Sequence, residues 1–141
     1  MSKKYTNTLL KIAANRLSKK FDAFAKEFDT TWMQMSVIDF VSRRKDTETF
    51  QRDIEIEFFI QRSTATVLLQ RMEKKNLLYR QSSKTDARQK SVYLTDKALA
   101  LEERINDYMQ HQQELLSENF SPEEITQFEK MLNFFIDGGN D

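Results

Sequence analysis

Cysteine is absent from the 141-residue sequence, which excludes a disulfide framework, a thiolate zinc site and thiol-based redox sensing. The single histidine, His111, leaves any metal site to carboxylates, whereas zinc draws mainly on imidazole and thiolate. Only two glycines and one proline are present, little material for turns, so a helix-rich chain is expected. No apolar run approaches the roughly 20 residues that cross a bilayer. The opening MSKKYTNTLLKIAANRL shows no signal-peptide cleavage pattern, and a cytoplasmic location without membrane contact is expected. A glycine-rich phosphate loop, a serine nucleophile beside a histidine and a carboxylate pair at a strand end are likewise missing. Glu102-Glu103 and Glu123-Glu124 read as helix surface and a helix N-terminus, so no enzyme and no cofactor are expected.

What is present is one domain's worth of chain, with 39% hydrophobic and 31% charged residues. The formal net charge is zero, but its distribution is uneven. From Gln61 to Thr95 eight Lys and Arg face two acids, a net of plus six, while from Asp96 to Asp141 eleven acids face three bases, a net of minus eight. A basic middle followed by an acidic tail suits a protein that turns one face to a polyanion.

The basic block coincides with an ordered pattern. Ile54, Phe58 and Phe59 recur at helical spacing, and Ile60-Gln61-Arg62 turns the chain into a second helix ending at Lys75 or Asn76. Val67, Leu68, Met72 and Leu69 are expected to bury one stripe of that second helix. Leu77–Arg80 and Ser91–Leu94 follow as two short strands, joined by the polar, cationic stretch Gln81–Lys90. Two helices and then a hairpin read as a winged helix-turn-helix, mainly α with a small β-hairpin wing, and hence as an element that binds double-stranded DNA. Ser63, Thr64, Thr66 and Gln70, in the first two turns of the recognition helix, are candidates for base edges or adjacent phosphates. Arg62 is a candidate backbone contact. Lys84, Gln89 and Lys90 are candidate phosphate contacts, against the reading that each lysine is an ordinary solvated charge. Arg71 is expected to pair with Asp86 and brace the wing.

These residues resemble the MarR family of bacterial transcriptional regulators over nearly the whole chain. Thr31-x-x-Gln34-x-x-Val37-Ile38 is similar to the opening of the family's second helix, and Arg62-Ser63-Thr64-Ala65-Thr66 to the start of its recognition helix. Leu69-x-x-Met72-Glu73-Lys74-Lys75-Asn76-Leu77-Leu78-x-Arg80 resembles the approach to the wing, and Asp86-x-Arg88 with Leu94-Thr95 the wing signature and its exit. Asn76 and Ala98 stand where the family usually has glycine. The first is tolerable in a left-handed position; the second predicts a slightly different start for the helix after Thr95. The resemblance places Arg88 at the wing tip, where a guanidinium can enter a minor groove.

The flanks carry apolar seams. Leu10, Ala13, Leu17, Phe21, Phe24 and Phe28 line one side of an N-terminal helix, and a capping box at Thr31 starts the next, which runs to about Arg44. Thr95 caps a long helix with Leu101, Ile105, Tyr108 or Met109, Gln112, Leu115 and Leu116, ending near Phe120. Ser121-Pro122-Glu123-Glu124 launches a last helix that Gly138-Gly139 terminates. The resemblance implies that residues 1–29 and 96–141 are dimerisation helices around a DNA-binding lobe at 30–95, within one domain spanning 1–141. A homodimer of this kind would read a pseudo-palindrome with half-sites about one helical turn apart. The competing reading closes the same stripes into a monomeric bundle.

The resemblance further implies a repressor released by a small aromatic ligand. Phe24, Phe28, Trp32, Met33 and Met35 lie where such a pocket would be lined, although aromatics and methionine at helical spacing are also ordinary core. Two other functions remain open on the residues: a winged-helix module for protein contacts, and a metal-responsive regulator using His111 with acids such as Glu114.

Overall fold

The computed structural model describes residues 4–138. In chain order they form α1 (Thr6–Lys26), α2 (Trp32–Ser42), α3 (Gln51–Phe58), α4 (Arg62–Lys74), β1 (Leu78–Ser82), β2 (Lys90–Leu94), α5 (Asp96–Asn119) and α6 (Pro122–Ile136). The chain divides into two compact units, one up to Glu102 and one from Glu103 onward. The division falls inside α5, and α1 belongs with the winged helix.

In the first unit the expected start and stop signals act where the residues put them. Thr31 caps α2 through a reciprocal capping box with Gln34, and the Asp22 carboxylate accepts the Trp32 N–H at 2.9 Å, satisfying another donor of the first turn. Asp53 does the same for α3, accepting the Phe50 N–H at 2.8 Å. The core is built from Met35, Val37 and Ile38 of α2, Ile54 of α3, Ala65, Leu69 and Met72 of α4, and Leu77, Leu78 and Val92 at the wing base, all essentially buried.

The buried stripe of α4 differs from the expected one. Ala65, Leu69 and Met72 are buried at spacings of four and three, whereas Val67 is 44% exposed and Leu68 is half-buried. The 65/69/72 row has the spacing of one helix face, and in a run this rich in apolar residues periodicity alone cannot choose between adjacent rows.

Phe59 is a second departure. It does not continue the α3 stripe but sits at its C-terminus with φ 52° and is 98% exposed. Only three residues separate α3 from α4, and the reversal needs a left-handed residue; the Ile60 N–H closes it on the Glu55 carbonyl at 3.1 Å. A bulky side chain there costs roughly 1–2 kcal/mol of backbone energy, with no packing in return. Phe59→Asn is therefore expected to stabilise the fold by about 1 kcal/mol and raise the melting temperature by a few degrees, measurable by circular dichroism.

Asn76 behaves as its position predicted. Lys75 is the C-cap of α4, Asn76 has φ 59°, and the Leu77 N–H returns to the Met72 carbonyl at 2.9 Å. Antiparallel pairing of β1 and β2 then runs from Leu78 opposite Leu94 to Ser82 opposite Lys90, with Tyr79 and Tyr93 stacked at 5.5 Å. Thr95 caps α5 in the ordinary way, its hydroxyl accepting the Ala98 N–H at 3.2 Å and donating to the Asn76 carbonyl at 2.7 Å. Ala98 follows in the first turn as a small, buried methyl.

One carboxyl of this unit is under tension. Burial, the Asp39 side chain and its charge push Glu102 above its ordinary 4.5, and its Oε2 is buried without a hydrogen-bond partner among the described residues. The stability Glu102 contributes is complete below about pH 4.5 and is lost as pH rises from there through the raised folded value. Glu102→Gln is expected to flatten this decline and raise the melting temperature at neutral pH, as a pH series of thermal melts would show.

In the second unit Ser121 caps α6 through a capping box with Glu124, and Pro122 occupies the first turn. No residue of α6 is buried, and Phe128, Met131, Phe134 and Ile136 are each more than half exposed. Gly138 follows with φ 85°; the expected role of Gly139 lies outside the described residues.

Candidate nucleic-acid interface

The N-terminus of α4 is open. Gln61 provides no side-chain cap, and Arg62, Ser63 and Thr64 are exposed, so the first N–H groups of the helix face outward with the positive end of its dipole. From here the helix presents two faces to two clefts.

The first cleft, about 600 Å³, brings Arg62, Thr66 and Gln70 of α4 together with Arg88, Gln89 and Lys90 of the wing. Six of the nine expected DNA contacts thus converge on one surface, although they come from stretches far apart in sequence. Arg52, at the first turn of α3, and Arg80 of β1 line the same cleft and were not anticipated. Both are cations outside the recognition helix and the wing loop, and nothing in the one-dimensional pattern aims them there. Arg80 is bridged to Glu73 at 2.7 Å.

Gln51 was also missed, and it alters the role of Thr66. The Gln51 Nε2 donates to the Thr66 hydroxyl at 2.9 Å, and that hydroxyl donates to the Arg62 carbonyl at 2.9 Å. With its proton committed, Thr66 offers the cleft an acceptor lone pair and a methyl group, the latter suited to a thymine methyl.

Ser63 and Thr64 do not join this surface. They line a second cleft, about 1010 Å³, with Trp32, Met33, Val67 and Arg71. Of the five residues expected to form a ligand pocket, Trp32 and Met33 are found in it. Met35 is fully buried in the core, and Phe24 packs edge-on against Phe28 at 5.3 Å. Helical spacing put all five on neighbouring turns, but Met35 faces the core, while half-buried Phe24 and Phe28 pair with each other away from the cleft.

The wing is braced differently from the expectation. Asp86 does not bind Arg71: it accepts the Arg88 Nε at 3.2 Å, the Arg88 backbone N–H at 3.1 Å and the Gln89 Nε2 at 3.2 Å. These bonds, led by the Arg88 side chain, hold the Asp86 carboxyl below its ordinary value. Arg71 lies on the α4 face that lines the other cleft. The two-residue spacing of Asp86 and Arg88 is the signal for the local turn. Lys84 is exposed, and its backbone N–H donates to Glu48 at 2.9 Å.

Among the described residues, no group of three or more His, Asp or Glu side chains is placed to hold a metal ion, and no helix is long and apolar enough to cross a membrane.

Two helices meeting at a tight turn, the second sharing a basic cleft with a β-hairpin, define a winged helix-turn-helix protein. Residues 28–89 match the MarR family model. The transcription regulator MarR from Oenococcus oeni PSU-1 is 50% identical over 94% of this chain and 99% of its own, with a TM-score of 0.82. The MepR–DNA complex of S. aureus superposes with a TM-score of 0.86 at 23% identity, covering 96% of this chain and 98% of that one. The transcriptional regulator SlyA superposes with a TM-score of 0.81 at 24% identity, covering 94% of each. No curated protein matches the sequence. The chain belongs to the MarR family of transcription regulators.

Proposed function

We propose that two copies of this chain bind a pseudo-palindromic operator in the cytoplasm and repress transcription. Each copy places α4 in a major groove and the wing tip in the neighbouring minor groove. The observation that carries this reading is the single cleft shared by Arg62, Thr66 and Gln70 with Arg88, Gln89 and Lys90. Residues 30–95 supply the DNA contacts. Residues 1–29 and 96–141 supply the dimer contacts, a role supported by the wholly unburied α6. The MepR structure in complex with DNA has this fold.

A small aromatic molecule in the second cleft would meet Trp32 and Met33 while touching Ser63 and Thr64 of the recognition helix. It releases DNA to the extent that it binds the DNA-incompetent spacing of the two helices more tightly than the competent one.

Fluorescence anisotropy with duplex DNA from upstream of the chain's own gene tests the reading across a salt series. Binding whose log affinity falls linearly with log salt supports it, each neutralised phosphate contributing a slope of about −0.9. Absence of binding to any duplex at low salt overturns it.

A further inference from the structure

Glu48 lies in the loop between α2 and α3, outside every motif that marks the chain as a winged helix, yet four donors of the wing converge on its carboxylate. Oε2 accepts the Ser83 hydroxyl at 2.7 Å and the Thr85 hydroxyl at 2.9 Å. Oε1 accepts the Ser91 hydroxyl at 2.6 Å and the Lys84 backbone N–H at 2.9 Å. Ser83, Lys84 and Thr85 follow the end of β1 and Ser91 lies in β2, so one side chain ties both ends of the connection that carries Arg88. Ser83 and Ser91 are buried, and their hydroxyls would be costly to leave unpaired.

The loop that carries Glu48 is itself held. The Arg44 guanidinium donates to the Glu48 carbonyl and the Thr49 hydroxyl, each at 3.0 Å, and lies 3.5 Å from Asp53 at the start of α3. The Val92 N–H of β2 donates to the Thr49 carbonyl at 2.7 Å. A continuous chain of polar contacts therefore runs from α3, which packs on the recognition helix, to the root of the wing.

We infer that Glu48 is a positioning residue for DNA binding, setting where the wing holds Arg88 and Lys90 relative to α4. The inference rests on the DNA-binding reading above. A carboxylate among Lys84, Arg88 and Lys90 works against attraction to a polyanion, and ordering the wing is what offsets that. The hydrogen bonds, led by Ser91, hold the carboxyl down to about 2, so it stays charged at every pH where DNA binding is assayed.

The sign of one substitution separates positioning from simple charge. Glu48→Gln removes a negative charge beside the DNA, so electrostatics alone would tighten binding. Positioning predicts weaker binding, by about tenfold, and a penalty that shrinks in the Arg88→Ala background, where the wing tip has less to position. Thr85→Val keeps the charge, deletes one exposed donor, and is expected to weaken binding in the same direction. Hydrogen exchange supplies a readout without DNA: amides of residues 83–90 should exchange faster in Glu48→Gln while those of α2 and α4 stay protected. Binding by Glu48→Gln as tight as wild type or tighter, an equal penalty in both Arg88 backgrounds, or unchanged wing exchange overturns the inference. Failure of the wild type to bind any duplex overturns the DNA reading instead, and unchanged wing exchange would still count against Glu48 on its own.

Discussion

Arg88→Ala is expected to weaken binding to an operator duplex by about a hundredfold at physiological salt and to reduce the magnitude of the salt slope by about two per dimer. The Arg88 side chain is 90% exposed, and its guanidinium lies against Asp86 at 3.2 Å. An exposed ion pair of this kind is worth at most about 1 kcal/mol. Exchanging it for a narrow minor groove, where the negative potential is concentrated, is therefore favourable. In the proposed dimer symmetry doubles the effect, because each protomer supplies one wing. Anisotropy titrations of wild type and variant across one salt series give both numbers. A variant with an unchanged slope and affinity would show that Arg88 does not touch DNA.

Met131→Asp is expected to convert the proposed dimer into a monomer and lower operator affinity by two orders of magnitude or more, since the two half-sites would then be bound independently. Met131 is 58% exposed, and Phe128 and Phe134, one turn to either side, are each 52% exposed. A carboxylate introduced there would be buried against apolar surface in the dimer, twice over by symmetry, at a cost that such a contact does not tolerate. In the single chain the position faces solvent, so α6 keeps its capping box and its helix. Sedimentation velocity measures the mass directly, and the melting temperature of the variant should lose its dependence on protein concentration. A variant that still sediments as a dimer would move the interface away from α6.

Much of this architecture was legible in the residues because the signals are local. Thr31 with Gln34 and Ser121 with Glu124 mark helix starts through hydrogen bonds that span three residues, and Asn76 marks a helix end through its own backbone angle. Such bonds form whatever the rest of the chain does. The order helix, turn, helix, hairpin follows from these signals, and with it the expectation that Arg62, Thr66, Gln70, Arg88, Gln89 and Lys90 serve one purpose.

Where several apolar residues compete for one interior, the local pattern loses its authority. Val67 and Leu68 compete with Leu69 for the interior, and only the packing of α4 on α3 and β1 decided that Leu69 is buried while Val67 is exposed. Phe59 is hydrophobic enough to join the core but occupies the left-handed position that the reversal into α4 demands.

By itself, then, the sequence determined the helices, the wing and the basic character of the middle of the chain, since each depends on contacts within a few residues. The tertiary structure alone decided which side chains share a cleft. It brought Arg52 into one cleft with Arg80 and the wing, set Ser63 and Thr64 apart from Thr66, and placed Glu48 beneath a hairpin whose hydroxyls lie 35 to 43 residues away. Partners that distant are chosen by the packing of whole elements, and side-chain hydrogen bonds form with whatever that packing brings within reach.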